Sequence, residues 1–121
     1  MFERVALPVV RQFSPDLILV SAGFDAHQRD PLATMRATEA GFAAMTMALR
    51  KVADDCCEGR LALVTEGGYD LKALEASLEG VVQTLAGSPA APKWPSDAAP
   101  SSRGRVTADA AVRALAGHWK L

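Results

Sequence analysis

The sequence predicts an α/β fold in which parallel strands are flanked by helices, and three observations predict it. Leu17, Ile18, Leu19 and Val20 form one unbroken apolar run, and Leu61, Ala62, Leu63 and Val64 form another. Short runs without alternation suit strands buried on both faces, as in a parallel sheet. Between the runs, Phe42, Met45, Leu49 and Val52 step by three or four residues, the spacing of one helical face. Strand, helix and strand then make a βαβ unit with a right-handed crossover.

The elements follow in chain order. Phe2, Val5, Ala6, Val9, Val10 and Phe13 recur at helical spacing over residues 2–13. Pro8 inside that pattern predicts either a kink or a new first turn. Ser14, Pro15 and Asp16 are a turn signal ahead of the first strand. Residues 21–34 are polar and irregular, and a helix is predicted over about residues 35–55, closed by Glu58 and Gly59. After the second strand, Leu74, Leu78, Val81, Val82 and Leu85 predict a helix over about residues 71–86. A stretch rich in Pro, Ser and Ala follows, without periodicity, and reads as a linker or a surface-hugging loop. Thr107 is the expected N-cap of a last helix that places Val112, Leu115 and Trp119 on one face. The expected organisation is a main α/β unit over residues 1–87, a linker over 88–106 and a terminal helix over 107–121.

Composition narrows the function classes. The chain has 121 residues, half of them hydrophobic and 22% charged, which suits a folded domain and excludes general disorder. Thirteen basic residues against fourteen acidic ones leave a net charge of −1, without the basic excess of a nucleic-acid binder. No apolar run approaches the roughly eighteen residues of a membrane span. The N-terminus lacks the basic and apolar regions of a secretory signal. Cys56 and Cys57 are adjacent, match no CxxC pattern and read as two reduced thiols at a helix end. A cytoplasmic location is the expectation.

In an open parallel sheet, ligands bind beyond the carboxyl ends of the strands, where the loops converge. Both unusual loops of this chain lie there: residues 21–32 after the first strand and 66–70 after the second. Asp25 and Tyr69 should therefore stand at one edge of the sheet. An aspartate just beyond a buried strand is either a hard anionic metal ligand or a cap for the following turn. His27 lies two residues further on, and a loop does not force the two onto one face. Asp30, before Pro31 and Leu32, reads as a turn or helix-start residue rather than a ligand. Gly67 and Gly68 allow close approach of the backbone to a ligand or a neighbouring segment. Tyr69 is either a hydrogen-bond donor to a developing oxyanion or a half-buried strand-end tyrosine. The paired glycines match no phosphate-binding pattern and have acidic flanks.

Ser21-Ala22-Gly23-Phe24-Asp25-Ala26-His27, with Asp30-Pro31-Leu32 and then Glu66-Gly67-Gly68-Tyr69, resembles the zinc-dependent histone deacetylase family. The likeness runs over about residues 2–87. Its wording is most similar to the prokaryotic histone-deacetylase-like amidohydrolases, including acetoin-utilisation and acetylpolyamine deacetylase proteins. The resemblance implies part of an arginase-like three-layer αβα fold. It implies that Asp25 is a ligand to the catalytic zinc and that Tyr69 hydrogen-bonds the substrate carbonyl. Gly67 and Gly68 would line the acyl channel, and Leu32 would stand at its rim. His27 falls where the family uses no ligand. The implied chemistry is hydrolysis of an acetyl-amide bond in acetyl-lysine or an acetylpolyamine.

The departure from that pattern is large. The family's remaining zinc ligands and its histidine pair lie upstream of the matching region, and this chain has only His27 and His118. A catalytic zinc takes three protein ligands and a water. The expectation is therefore the C-terminal part of a deacetylase, from a truncated reading frame, that neither binds zinc tightly nor acts alone. The competing expectation is a non-catalytic module that serves oligomerisation or partner binding. Two parallel strands leave edges and faces bare, so self-association or pairing with an upstream segment is expected.

Overall fold

A computed structural model describes residues 1–87 and 102–121. The chain opens with a π-helical turn, Phe2–Ala6, that runs into α1, Leu7–Phe13. Pro8 lies in the first turn of α1, so the first-turn alternative is the one realised. Proline's fixed φ is already helical and suits that position. Ser14 ends the helix in the left-handed region at φ 53°, and Pro15 prevents its continuation.

Strands β1, Ile18–Ala22, and β2, Leu61–Thr65, pair in parallel, with Ile18 opposite Leu61 and Ala22 opposite Thr65. Helix α2, Glu39–Cys57, forms the crossover, and α3, Leu71–Leu85, follows β2. This is the predicted βαβ order with parallel strands and flanking helices.

Several boundaries differ from the sequence expectation. Leu17 lies outside β1 and is about half exposed, whereas Ser21 and Ala22 belong to the strand. Helix α2 begins at Glu39, because Ala37 is already committed to an isolated bridge with His27. Its amide donates to the Ala26 carbonyl and its carbonyl accepts from Gln28. Thr38 then caps the helix, its hydroxyl oxygen accepting from the Gly41 amide at 3.2 Å. At the far end, α2 runs through Cys57 before Glu58 turns left-handed at φ 54°. Both cysteines are free thiols at this helix end, as expected.

The core forms on one face of the sheet. Leu7, Ile18, Val52, Ala53 and Cys57 make one cluster, with Val20 and Leu61 packed against it. Phe24, Phe42 and Val81 make the second, joined by Ala22, Leu63, Leu74 and Leu78. On the opposite face Leu19 is 69% exposed and Val64 60%. The burial of both strand faces expected from the apolar runs is thus realised on one face only among the described residues. The helices that pack against β1 and β2 all cover that same face.

Most of the expected linker over 88–106 falls outside the described residues. Its end is helical, because α4 spans Ser102–Leu115 and not 107–121. Thr107 is an interior residue of α4, and Trp119 lies past its end. The middle of α4 packs on the π-helical turn, with Ala108 buried and Asp109 paired to Arg4 at 2.7 Å. That contact is tertiary and leaves no local pattern. The tail returns to α1, where the Gln12 side chain bonds both the amide and the carbonyl of Lys120. No described helix is long and apolar enough to cross a membrane.

Candidate active site at the strand ends

Beyond the ladder, two backbone hydrogen bonds keep the loops of the two strands together. The Glu66 amide donates to the Ala22 carbonyl at 3.1 Å, and the Phe24 amide donates to the Gly67 carbonyl at 2.7 Å. Phe24 is buried and meets Phe42 edge to face, with ring centroids 5.0 Å apart. This contact roots the first loop in the second core cluster and leaves the next residue, Asp25, half-buried beyond the strand end.

The Asp25 carboxylate lies directly over the Gly67 backbone. A Cβ at position 67 would stand 2.8 Å from Asp25 Oδ2, closer than carbon and oxygen can approach. Gly68 has φ 146°, and a Cβ there would also press on Leu74 and Phe24. The glycine pair is therefore explained by close approach, with the Asp25 carboxylate itself among the neighbours.

Tyr69 follows at the rim and is 59% exposed. Its amide donates to Asp30 Oδ2 at 2.8 Å, while Oδ1 of the same carboxylate accepts from the Leu32 amide at 2.9 Å. Leu32, 71% exposed, and Tyr69 are thus anchored at one carboxylate. Asp70 caps α3 by accepting from the Ala73 amide at 2.8 Å, and it pairs with Arg29 at 3.2 Å. The Tyr69 amide, and more weakly those near Leu32, hold the Asp30 carboxyl below its ordinary value of 3.8 against the opposing effect of burial. The Ala73 amide, opposed by burial and aided by Arg29, lowers Asp70 in the same way.

His27 has a different environment. It is 1% exposed, its Nδ1 accepts from the Arg29 amide, and its ring stacks on Phe42. Its Nε2 lies 3.3 Å from Glu39 Oε1. The histidine packs against core residues and does not join Asp25.

The structure therefore brings Asp25, Gly67, Gly68, Tyr69 and Leu32 to one edge of the sheet. It does not surround Asp25 with further ligands: among the described residues no group of three His, Cys, Asp or Glu side chains could hold a metal. By themselves these residues do not make a zinc site. An apolar cavity of about 210 Å³, lined by Val20, Phe24, Phe42, Met45 and Leu63, lies on the helix side of the sheet and does not include Asp25 or Tyr69. Asp30 is the residue whose reach the sequence reading missed. The Asp-Pro-Leu wording signals a local turn, but its partner Tyr69 is 39 residues away.

Comparison with known proteins converges on one family. Residues 1–85 match the family described as histone deacetylase domain. The chain is 39% identical to Histone deacetylase 15 of Arabidopsis thaliana over 106 residues, covering 88% of this chain and 18% of that protein. It is 41% identical to the human Polyamine deacetylase HDAC10 over 119 residues, covering 98% of this chain and 17% of that protein. Among solved structures, the HDA15 HD domain superposes with a TM-score of 0.83 at 36% identity, covering 98% of this chain and 31% of that one. The histone deacetylase Clr3 superposes with a TM-score of 0.87 at 33% identity, covering 98% of this chain and 19% of that one. The chain thus spans less than a quarter of the length of these curated relatives.

Proposed function

Because this chain belongs to the histone deacetylase family, we propose that it supplies part of an acetyl-amide hydrolase site. In this reading Asp25 contributes one carboxylate to a zinc centre whose other ligands come from outside the described residues. When bound, zinc would polarise the amide carbonyl and the attacking water. Tyr69 directs its hydroxyl at the carbonyl oxygen, where negative charge grows as water adds to the carbon. Gly67 and Gly68 line the acyl channel and Leu32 stands at its rim. The observation that carries the reading is the lodging of the Asp25 carboxylate on the Gly67 backbone, two residues from Tyr69.

The substrate class is an acetylated lysine or an acetylated polyamine, in keeping with relatives named for each. The finer placement in the prokaryotic branch rests on motif wording alone, since the relatives named above are eukaryotic. Zinc-dependent hydrolysis should be absent from this chain alone and should appear when it is combined with the remainder of a deacetylase domain. Tyr69→Phe should then lower kcat by about 10²–10³-fold, the usual cost of one lost oxyanion donor. A well-folded combination without activity would refute the reading.

A second reading has its own support. The exposed apolar sheet face, with Leu19 at 69% and Val64 at 60%, supports a non-catalytic module that uses that face to self-associate or pair with a partner. In that case Asp25→Ala would leave association unchanged. Light scattering showing a monomer at every concentration would exclude self-association.

A further inference from the structure

We propose that Asp30 is the positioning residue for Tyr69, holding the tyrosine-bearing turn against the Asp25 loop through its carboxylate. The part of this that concerns catalysis rests on the reading of Tyr69 given above. Asp30 is only 7% exposed, and burial of a carboxylate is costly without compensation. The nearest cation in sequence, Arg29, is paired instead with Asp70. Backbone N–H groups from both loops compensate Asp30: Tyr69 from one and Leu32 from the other. Charge-assisted bonds of this kind are stronger than neutral ones.

The position of Tyr69 in the chain explains why such a tie matters. Upstream, the Gly67 carbonyl is held by the Phe24 amide; downstream, Asp70 is held as the cap of α3. Between them Gly68, at φ 146°, gives the backbone the freedom that only glycine has. The bond from the Tyr69 amide to Asp30 removes that freedom where the phenol must be aimed. A misplacement of about 1 Å at a reacting centre can cost about 10²-fold in rate.

Tyr69 is the only tyrosine of the chain, so its ring signals in NMR spectra are unambiguous. Asp30→Asn preserves size and one acceptor oxygen but removes the charge and the second acceptor. In the full chain it should raise amide exchange at Tyr69 about tenfold or more and shift the Tyr69 ring signals, while exchange within α2 stays unchanged. Unchanged exchange at Tyr69 would overturn the proposal.

The unsubstituted chain provides an arm that does not depend on the variant folding. A carboxyl whose folded pKa is depressed keeps its bond above the unfolded value of 3.8 and loses it as pH falls through the folded value. The Tyr69 amide signal should therefore stay constant down to that value and move below it. Arg29, Asp70, His27 with Glu39 beside it, Asp25 over Gly67 and Tyr69 itself are the other charged or titratable groups at this junction. Asp70 is also depressed, so the titration is repeated in Asp70→Asn, where the movement should persist. A flat response would overturn the proposal. In an active combination with the remainder of a deacetylase domain, Asp30→Asn should lower kcat with KM nearly unchanged; an unchanged kcat would overturn the catalytic part. An inactive combination refutes the proposed function instead, and exchange at Tyr69 then decides the structural tie alone.

Discussion

Ile18, Val20, Leu61 and Leu63 pack into the helical layer, whereas Leu19 and Val64, from the same two apolar runs, are 69% and 60% exposed. The two faces of the sheet are alike in residue type and opposite in environment. The difference teaches that an unbroken apolar run states what a strand needs, and its neighbours determine what it receives. On one face α1, α2 and α3 meet the need. The other face is where a second copy or another part of a deacetylase domain would have to act.

The comparison can be broken most severely from the packed side. Phe42 supports Phe24, which precedes the candidate ligand, so Phe42→Ala should cost about 3–5 kcal/mol in urea denaturation. A loss below about 1 kcal/mol would mean that the packed face is far looser than its buried residues indicate. A smaller effect is expected at the helix start that the bridge at Ala37 sets. Thr38→Ala removes the acceptor for the Gly41 amide and should cost about 1 kcal/mol by the same measurement.

The open face should respond in the reverse sense. Leu19→Thr places a β-branched, strand-favouring residue at an exposed position and should change unfolding free energy by no more than about 0.5 kcal/mol. If the chain self-associates through this face, as in the second reading above, the same substitution should reduce that association measured by light scattering. A large loss of stability with no change in association would place Leu19 in the core and abolish the contrast between the faces.

The local elements were legible where periodicity alone determines them. The stripe from Phe42 to Val52 became α2, and the stripe from Leu74 to Leu85 became α3. The packing of α4 was not legible, because Ala108 and Asp109 owe their places to a turn at the opposite end of the chain. Of the candidate site, the placement of Asp25, the glycine pair, Tyr69 and Leu32 beyond the strand ends was legible from the loops that follow the two apolar runs. Asp30 was legible only as a turn. Its second oxygen serves a residue 39 positions away, and no local spacing encodes that bond.

By itself, the sequence determined the βαβ order, the parallel strands and the candidate residues at the strand ends, because hydrophobic period and loop wording are local properties. Tertiary structure alone decided which sheet face is covered, that His27 is a core residue, and that Asp30 ties Tyr69 to the Asp25 loop. Each of those outcomes is a contact between segments far apart in the chain. Burial and hydrogen-bond pairing are settled by what arrives from elsewhere, which is why local pattern could name the residues and could not assign their partners.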